Sequence, residues 1–523
     1  MENRLYDFVI VGAGSAGCVL AARLSADPGT RVLLIEAGPA DTAPEIRVPM
    51  AWPTLFKTPL DWDYATEPEP GLDGRRRNLP IGRVLGGSSS INAMIYMRGN
   101  PADYRDWEKA GAEGWDWDGV LPYFKRAEDN ERGADDHHGA GGPLKVGDLR
   151  TRHPLMEAFI EAGEQAGHAR NPDFNGASQD GFGWLQVTQS NGLRYSAADA
   201  YLRAAEERDN LTVLTGTLVH RVVIDNGRAV GVVVDDGSGP REVRAEREVI
   251  VSAGAYNSPK LLQLSGIGRA AELAAFGIAP VADLPVGENL QDHVFFGLVY
   301  RTDVESLSTA ATPENQALLM TEGRGPLTSN IAEAAGLLRT RPDLEAPDIQ
   351  IHAGPIMLVE EGLGIPVHHA FTVAPTLLRP TSRGRVFLRS PNPAAKPRIL
   401  HNYLTTEEDR QTVVRAVRAS LEVAAQPALA AHRGEPISAP EGDDDASILR
   451  FARHVLSSIF HPVGTCAIGS VVDSHLRVQG VEGLRVVDAS VMPTTVRGNT
   501  NAPTIMIAER AADLIAGRTP ERA

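Results

Sequence analysis

The chain has only two cysteines, Cys18 and Cys466, in 523 residues. Neither their number nor their spacing makes a disulfide framework or a zinc site, and so few thiols suit a reducing compartment. Basic charge is also scarce. Lys and Arg total 51 against 67 Asp and Glu, a net charge of −16. That excludes a nucleic-acid partner, because attraction to the phosphate backbone dominates such binding. The one dense basic run, Arg75-Arg76-Arg77, is bracketed by Gly74 and Pro80 and reads as a solvated loop. No stretch approaches the ~20 apolar residues that span a bilayer. The N-terminus, MENRLYDFVIVGAG, places no basic segment before its short apolar run. A soluble cytoplasmic protein without a membrane span is expected. HExxH is absent, and the cluster Asp135-Asp136-His137-His138, followed by AGGP, reads as a flexible loop rather than a metal site. A GxSxG elbow is missing too, since AGSAG at 13–17 begins with alanine and belongs to another turn, which argues against a serine hydrolase.

What is present begins with a chain too long for one ordinary core, so two or more domains are expected. Residues 7–38 read DFVIVGAGSAGCVLAARLSADPGTRVLLIEAG. Phe8–Val11 has the character of a buried parallel strand, Gly12-x-Gly14-x-x-Gly17 follows, Cys18–Leu24 has helical spacing, and Arg31–Ile35 is a second apolar strand ending at Glu36. Gly12 permits the tight turn, Gly14 lets backbone approach a pyrophosphate, and Gly17 lets helix pack on strand. The helix N-terminus offers free N–H groups to phosphate. Glu36, 24 residues after Gly12, is placed to accept from ribose hydroxyls. This is a dinucleotide site. The carboxylate disfavours a 2′-phosphate and leaves NAD and FAD both open.

Two further glycine-rich stretches, GRVLGGSSSIN at 82–92 and GAYNSPKLLQLSGIG at 254–268, have no function legible from physics alone. The second should become helical after Pro259. FHPVGTC at 460–466 holds His461, which taken by itself suits packing, a metal or a catalytic base. Together with VGENLQDH at 286–293, GLRVVDASVMP at 483–493 and GNTNAPTIMIAE at 498–509, these stretches resemble the glucose–methanol–choline (GMC) oxidoreductases. The likeness runs from residue 7 to about 515 and is to bacterial choline and alcohol dehydrogenases and hydroxymethylfurfural-type oxidases.

The resemblance implies FAD. It implies that Gly12, Gly14, Ser15 and Ala16 meet the pyrophosphate, that Glu36 and Ala37 serve the ribose, that Trp62 lies near the adenine, and that Val219 touches adenine through its backbone. It puts Arg83, Gly86, Gly87, Asn92, Ala93, Met94 and Ile95 along the isoalloxazine and ribityl chain, and Asp488, Ala489, Asn501 and Thr504 at the flavin end. Ile91 stands where some members carry the histidine that bonds FAD covalently, so non-covalent FAD is expected. The family's catalytic histidine matches His461, and its second polar residue matches Asn499. An alcohol becomes a hydride donor once its hydroxyl proton leaves. His461 would take that proton, the Asn499 amide would support the alkoxide, and the α-hydrogen would pass to flavin N5.

The motifs at the start, middle and end of the chain imply a discontinuous architecture of α/β class. A Rossmann-like FAD-binding domain (1–150, 192–295, 462–523) would carry an inserted α+β substrate domain (151–191, 296–461) whose antiparallel sheet covers the flavin. A helix is expected near Thr406–Ala425, a capped acidic helix start at DDDA (443–446), and a frayed tail at RTPERA. The inserted segment 296–461 contains no tryptophan, which weakens an aromatic cage for choline. Phe460, Ile459 and Ile91 suggest an apolar slot for a neutral primary alcohol. No second dinucleotide motif exists, so the acceptor would be dioxygen, with an external carrier as the alternative. A choline or other dehydrogenase is a second reading. A hydroxynitrile lyase or photodecarboxylase on the same fold is a third. Oligomeric state is not legible.

Overall fold

The computed structural model describes residues 5–519 and 521–523; Met1–Arg4 of the N-terminal stretch and Pro520 of the tail lie outside them. The buried runs predicted at the N-terminus form a parallel sheet. Tyr6–Val11 sits centrally and pairs with Val32–Ile35 on one side and with Arg241–Val251 on the other. Leu211–Leu214 extends the sheet beyond Val32–Ile35, and Leu484–Val486 extends it beyond Arg241–Val251. Phe8–Val11 and Val32–Ile35 are buried on both faces, which is why they read as continuous apolar runs. The first half of the long Arg241–Val251 strand leaves this layer and joins the hairpin Leu218–Asp225 and Arg228–Asp235 in an antiparallel meander.

The second sheet is antiparallel. Its order is Pro436–Ser438, Leu298–Arg301, Ala370–Leu377, Ile349–Gly354, Ala334–Leu338 and Gly181–Trp184. Val294–Phe295 pairs with Ala370–Leu377 and with Ser457–Ser458, so the chain enters this sheet slightly before residue 296. Helices Pro154–Gln165, Glu407–Ala424 and Asp445–Val455 back it and share its apolar core. The predicted acidic helix start is capped, Asp444 Oδ1 accepting from Ser447 N at 3.0 Å, and the expected helix after Thr406 is capped as well, Thr406 Oγ1 accepting from Asp409 N at 3.3 Å.

Two helices aim their N-termini at the space between the sheets. Ser15–Leu24 follows the first glycine turn, and Asn501–Ile515 ends the fold. They are joined by a buried carboxylate. Glu509 is fully buried and takes Arg23 at 2.7 Å, Arg126 at 2.9 Å and the Tyr201 hydroxyl at 2.8 Å. A buried charge with several donors holds its helices in place, and loss of one partner would leave it uncompensated.

Several local expectations are corrected. The helix predicted after Pro259 begins at Gly254, with Pro259 inside it. Proline cannot donate to the carbonyl four residues back, and that carbonyl, Ala255 O, is taken by the Thr465 hydroxyl at 2.7 Å. The His137-His138 segment is not a free loop. His138 is buried, with Nδ1 at 3.0 Å from Glu128 and Nε2 at 2.8 Å from Asp173. Burial opposes its charge, but these two carboxylates outweigh it and hold its pKa up to about 9. Arg75 and Arg77 are not merely solvated. Both donate to the His454 carbonyl, at 2.7 and 2.9 Å, near the end of the helix Asp445–Val455. The tail is tied down rather than frayed: Glu521 N donates to the Tyr123 hydroxyl at 3.0 Å and Ala523 N to Asp118 O at 2.7 Å. No helix among the described residues is long and apolar enough to cross a membrane.

Candidate active site

An elongated cavity of about 340 Å³ runs between the two sheets. Part of its wall is the first glycine turn. Gly12 has φ +100°, and a Cβ there would lie 2.4 Å from Ser252 O. A Cβ on Gly87 (φ +56°) would lie 2.6 Å from Gly14 Cα, so the first and second glycine stretches meet backbone to backbone. The helix at Ser15 has no side-chain cap, nor has the helix at Asn501. Ser15 Oγ donates to Asn501 Oδ1 at 2.7 Å, which brings the two uncapped ends together. Free N–H groups and the positive ends of two helix dipoles therefore converge where side chains cannot intrude, which is the cradle a dinucleotide pyrophosphate needs.

Of the residues named from the sequence for the cofactor, Gly12, Gly14, Ser15, Ala16, Glu36, Ala37, Trp62, Gly87, Asn92, Ala93, Met94, Ile95, Val219, Asp488, Ala489, Asn501 and Thr504 line this cavity. Arg83 and Gly86 stand behind the wall. Arg83 lies over the Trp62 ring at 5.1 Å, and Gly86 N donates to Ala13 O at 2.8 Å from a left-handed turn (φ +85°). Glu36 is already engaged by backbone, accepting from Ala13 N at 2.9 Å and Gly38 N at 2.8 Å. Burial raises its pKa. Asp488 is held likewise, by Gly254 N at 2.9 Å, Ser490 N at 2.8 Å and the Ser258 hydroxyl at 2.5 Å.

Also on the cavity wall, His461 and Asn499 face each other, with Asn499 Nδ2 3.2 Å from His461 Nε2. They come from segments 38 residues apart, as the sequence implied. Phe460, beside His461, is held at φ +65°, a strained setting for a bulky residue. The buried carboxylate of Asp292 sustains it. It accepts from His461 N at 2.9 Å, the Ser458 hydroxyl at 2.6 Å and the Tyr403 hydroxyl at 2.7 Å. Burial raises the Asp292 pKa to about 6. His461 is pushed well below the ordinary histidine value by burial and by the neighbouring His293 and His352. It is therefore neutral at physiological pH and able to accept a proton.

Sequence reasoning missed most of the remaining wall. Ile91, Ile459 and Phe460 do line the cavity, as expected. So do Trp52, Phe56 and Phe295. Trp52 and Phe56 lie 5.4 Å apart, and Phe56 meets Phe460 edge-on at 5.5 Å. Thus a tryptophan does border the site, contributed by the N-terminal segment rather than by 296–461. His352 and Ala374 of the antiparallel sheet line it as well. Asp292 and His293 carried a signal, since both end the VGENLQDH stretch, yet nothing in that stretch says what stands opposite them.

A nucleotide cradle joined to a neutral histidine and an amide against an apolar wall defines a dinucleotide-dependent oxidoreductase. Comparison with known proteins specifies which. The GMC oxidoreductase N-terminal domain matches residues 6–295 and the C-terminal domain residues 380–508. The chain is 46% identical to an oxygen-dependent choline dehydrogenase of Rhizobium etli, covering 98% of this chain and 96% of the relative. It is 43% identical to an alcohol dehydrogenase (acceptor) of Pseudomonas putida, with the same coverage. The crystal structure of pyridoxine 4-oxidase from Mesorbium loti superposes with a TM-score of 0.91 at 36% identity, covering 98% of this chain and all of that one. The chain belongs to the GMC oxidoreductase family, enzymes that act on CH–OH donors with FAD. The paired glycine turns and uncapped helices fit that cofactor.

Proposed function

We propose that the enzyme oxidises a neutral primary alcohol, carrying an apolar or aromatic group, to the aldehyde. The observation that carries this reading is the His461–Asn499 pair set against a wall of Trp52, Phe56, Phe295 and Phe460. His461 Nε2 takes the hydroxyl proton, and the Asn499 amide donates to the oxygen as it gains charge. FAD, when bound, supplies at N5 the acceptor for the hydride leaving the carbinol carbon. The apolar wall excludes water and seats the rest of the substrate. Gly12, Gly14, Ser15, Ala16, Glu36, Ala37, Trp62, Gly87, Asn92–Ile95, Val219, Asp488, Ala489, Asn501 and Thr504 hold the cofactor, non-covalently because Ile91 offers no bonding atom. The domain division proposed from the sequence accompanies this reading.

Choline is disfavoured. A quaternary ammonium uses aromatic faces together with a nearby carboxylate. Among the described residues the acidic groups on the cavity wall are Glu36 and Asp488, and backbone N–H groups occupy both. Dioxygen is the proposed acceptor, supported by the relatives named as oxygen-dependent or as oxidases. The test is anaerobic mixing of the holoenzyme with benzyl alcohol, hydroxymethylfurfural and choline at equal concentration, followed by air. Benzyl alcohol or hydroxymethylfurfural should bleach the flavin at least ~10-fold faster than choline, the difference a missing counter-charge makes. Air should then restore the colour within the turnover time. Fastest bleaching by choline would overturn the substrate class. Slow recolouring would replace dioxygen with another acceptor. Absence of bleaching by any alcohol would favour the lyase or photoenzyme readings.

A further inference from the structure

Behind His461, on the side away from the cavity, stands a second imidazole. His293 Nδ1 lies 3.0 Å from His461 Nδ1, with the rings near perpendicular at 81°. Its other nitrogen, Nε2, lies 3.1 Å from the Leu378 carbonyl oxygen and 3.1 Å from the Thr495 hydroxyl. His293 is fully buried, and burial lowers its pKa to about 4, so it is neutral.

The proton positions follow. A carbonyl oxygen only accepts, so His293 Nε2 carries the hydrogen. A neutral imidazole has a single N–H, so His293 Nδ1 is a bare lone pair. Its partner 3.0 Å away must then donate, which places the hydrogen of neutral His461 on Nδ1 and leaves Nε2 bare. The opposite tautomer would set two lone pairs against each other in a dry site and leave both unsatisfied. It would also turn an N–H of His461 toward the amide N–H of Asn499, which the observed 3.2 Å approach of Nδ2 disfavours.

We propose that His293 is a positioning residue for alcohol oxidation: anchored by Leu378, it selects the tautomer of His461 whose unprotonated Nε2 faces the cavity. This rests on the reading of His461 as the base. When the alcohol proton arrives at Nε2, His461 becomes an imidazolium whose Nδ1–H is still received by His293, so no second rearrangement is needed. The arrangement puts the Leu378 carbonyl, at the end of a strand of the antiparallel sheet, in control of a proton on a loop from the other end of the chain.

The experiment compares His293→Leu, which removes the acceptor, with His293→Asn, whose amide oxygen can occupy the place of Nδ1. His461→Gln is measured alongside. All are purified as holoenzymes, and wild type is prepared with 15N-labelled histidine. Expected are a wild-type NMR signature of neutral His461 protonated at Nδ1, and anaerobic flavin reduction slowed on the order of 100-fold in His293→Leu, as befits a base with its tautomer unset. His293→Asn should recover to within about 10-fold of wild type, since its acceptor is restored. A wild-type spectrum with the proton on Nε2, full-speed reduction in His293→Leu, or equal losses in both His293 variants would overturn the proposal. Full-speed reduction in His461→Gln would instead overturn the base assignment on which it rests.

Discussion

Replacing His461 by Ala is expected to leave FAD bound and to slow anaerobic flavin reduction by about three orders of magnitude, the usual contribution of a positioned general base. The retained yellow colour follows from the geometry. His461 is not one of the residues that build the cradle of glycine turns and uncapped helix ends. The pH profile is part of the same prediction. A base must be unprotonated to act. Burial, His293 and His352 hold His461 well below its ordinary value. The reduction rate of the wild type should therefore be level upward from about pH 6.5, the unperturbed histidine value, and fall only on the acid side. Stopped-flow reduction between pH 5 and 9 measures both features. A rate rising steadily through pH 8, or an Ala variant with unchanged reduction, would assign the proton to another group.

Gly12→Ala is expected to abolish the flavin site. At φ +100° a side chain is strained, and the new Cβ would meet three backbone atoms of Ser252 and Ala253 at 2.4–3.0 Å, none of which can swing aside. The turn leads from the strand Tyr6–Val11 into the helix Ser15–Leu24 and lies against the end of the adjacent strand Arg241–Val251, so relief means parting the two strand ends that form the cradle. The purified variant should be colourless or lose FAD on gel filtration, while wild type gives up its flavin only on denaturation, as free FAD. Gly277→Ala, away from the cavity wall, is the control. It has a positive φ of +71° but nothing within 4 Å of the new Cβ. It should cost only about 1–2 kcal/mol of backbone strain and retain the cofactor. Absorbance at the flavin maximum per protein, before and after desalting, distinguishes them. Tight FAD binding by Gly12→Ala would show that the two strand ends part without harm to the cradle.

These two variants touch the parts of the molecule that were most legible beforehand. The glycine turn was readable because its mechanics are local. Strand, turn, uncapped helix and Glu36 all lie within one short segment, and each residue type answers to its own backbone geometry. His461 was readable only through its resemblance to a family. As a lone histidine after a phenylalanine it had no partner in sequence reach, and its partners, Asn499 and the neighbours Asp292 and His293, come from two other segments. Trp52 illustrates the limit differently. Counting tryptophans in 296–461 was correct, yet the aromatic wall is partly built by the segment Pro49–Leu55, which packs across from Phe460 through Phe56. Likewise His138 read as part of an exposed cluster, because the carboxylates that bury and charge it, Glu128 on a short strand and Asp173 in a loop, lie elsewhere in the chain.

By itself, then, the sequence determined the glycine turn of the nucleotide cradle and the capped helix start at Asp444, while the antiparallel layer and the proposed pair His461 and Asn499 were legible only through the family resemblance. These depend on short-range geometry or on motifs with a single use. The tertiary structure alone decided the protonation and setting of those groups. Burial, the Leu378 carbonyl and the Asp292 carboxylate act on His461 across long sequence separations, through a low-dielectric interior where one hydrogen-bond partner determines where a proton resides. Such partners exist only once both sheets have closed on the cavity.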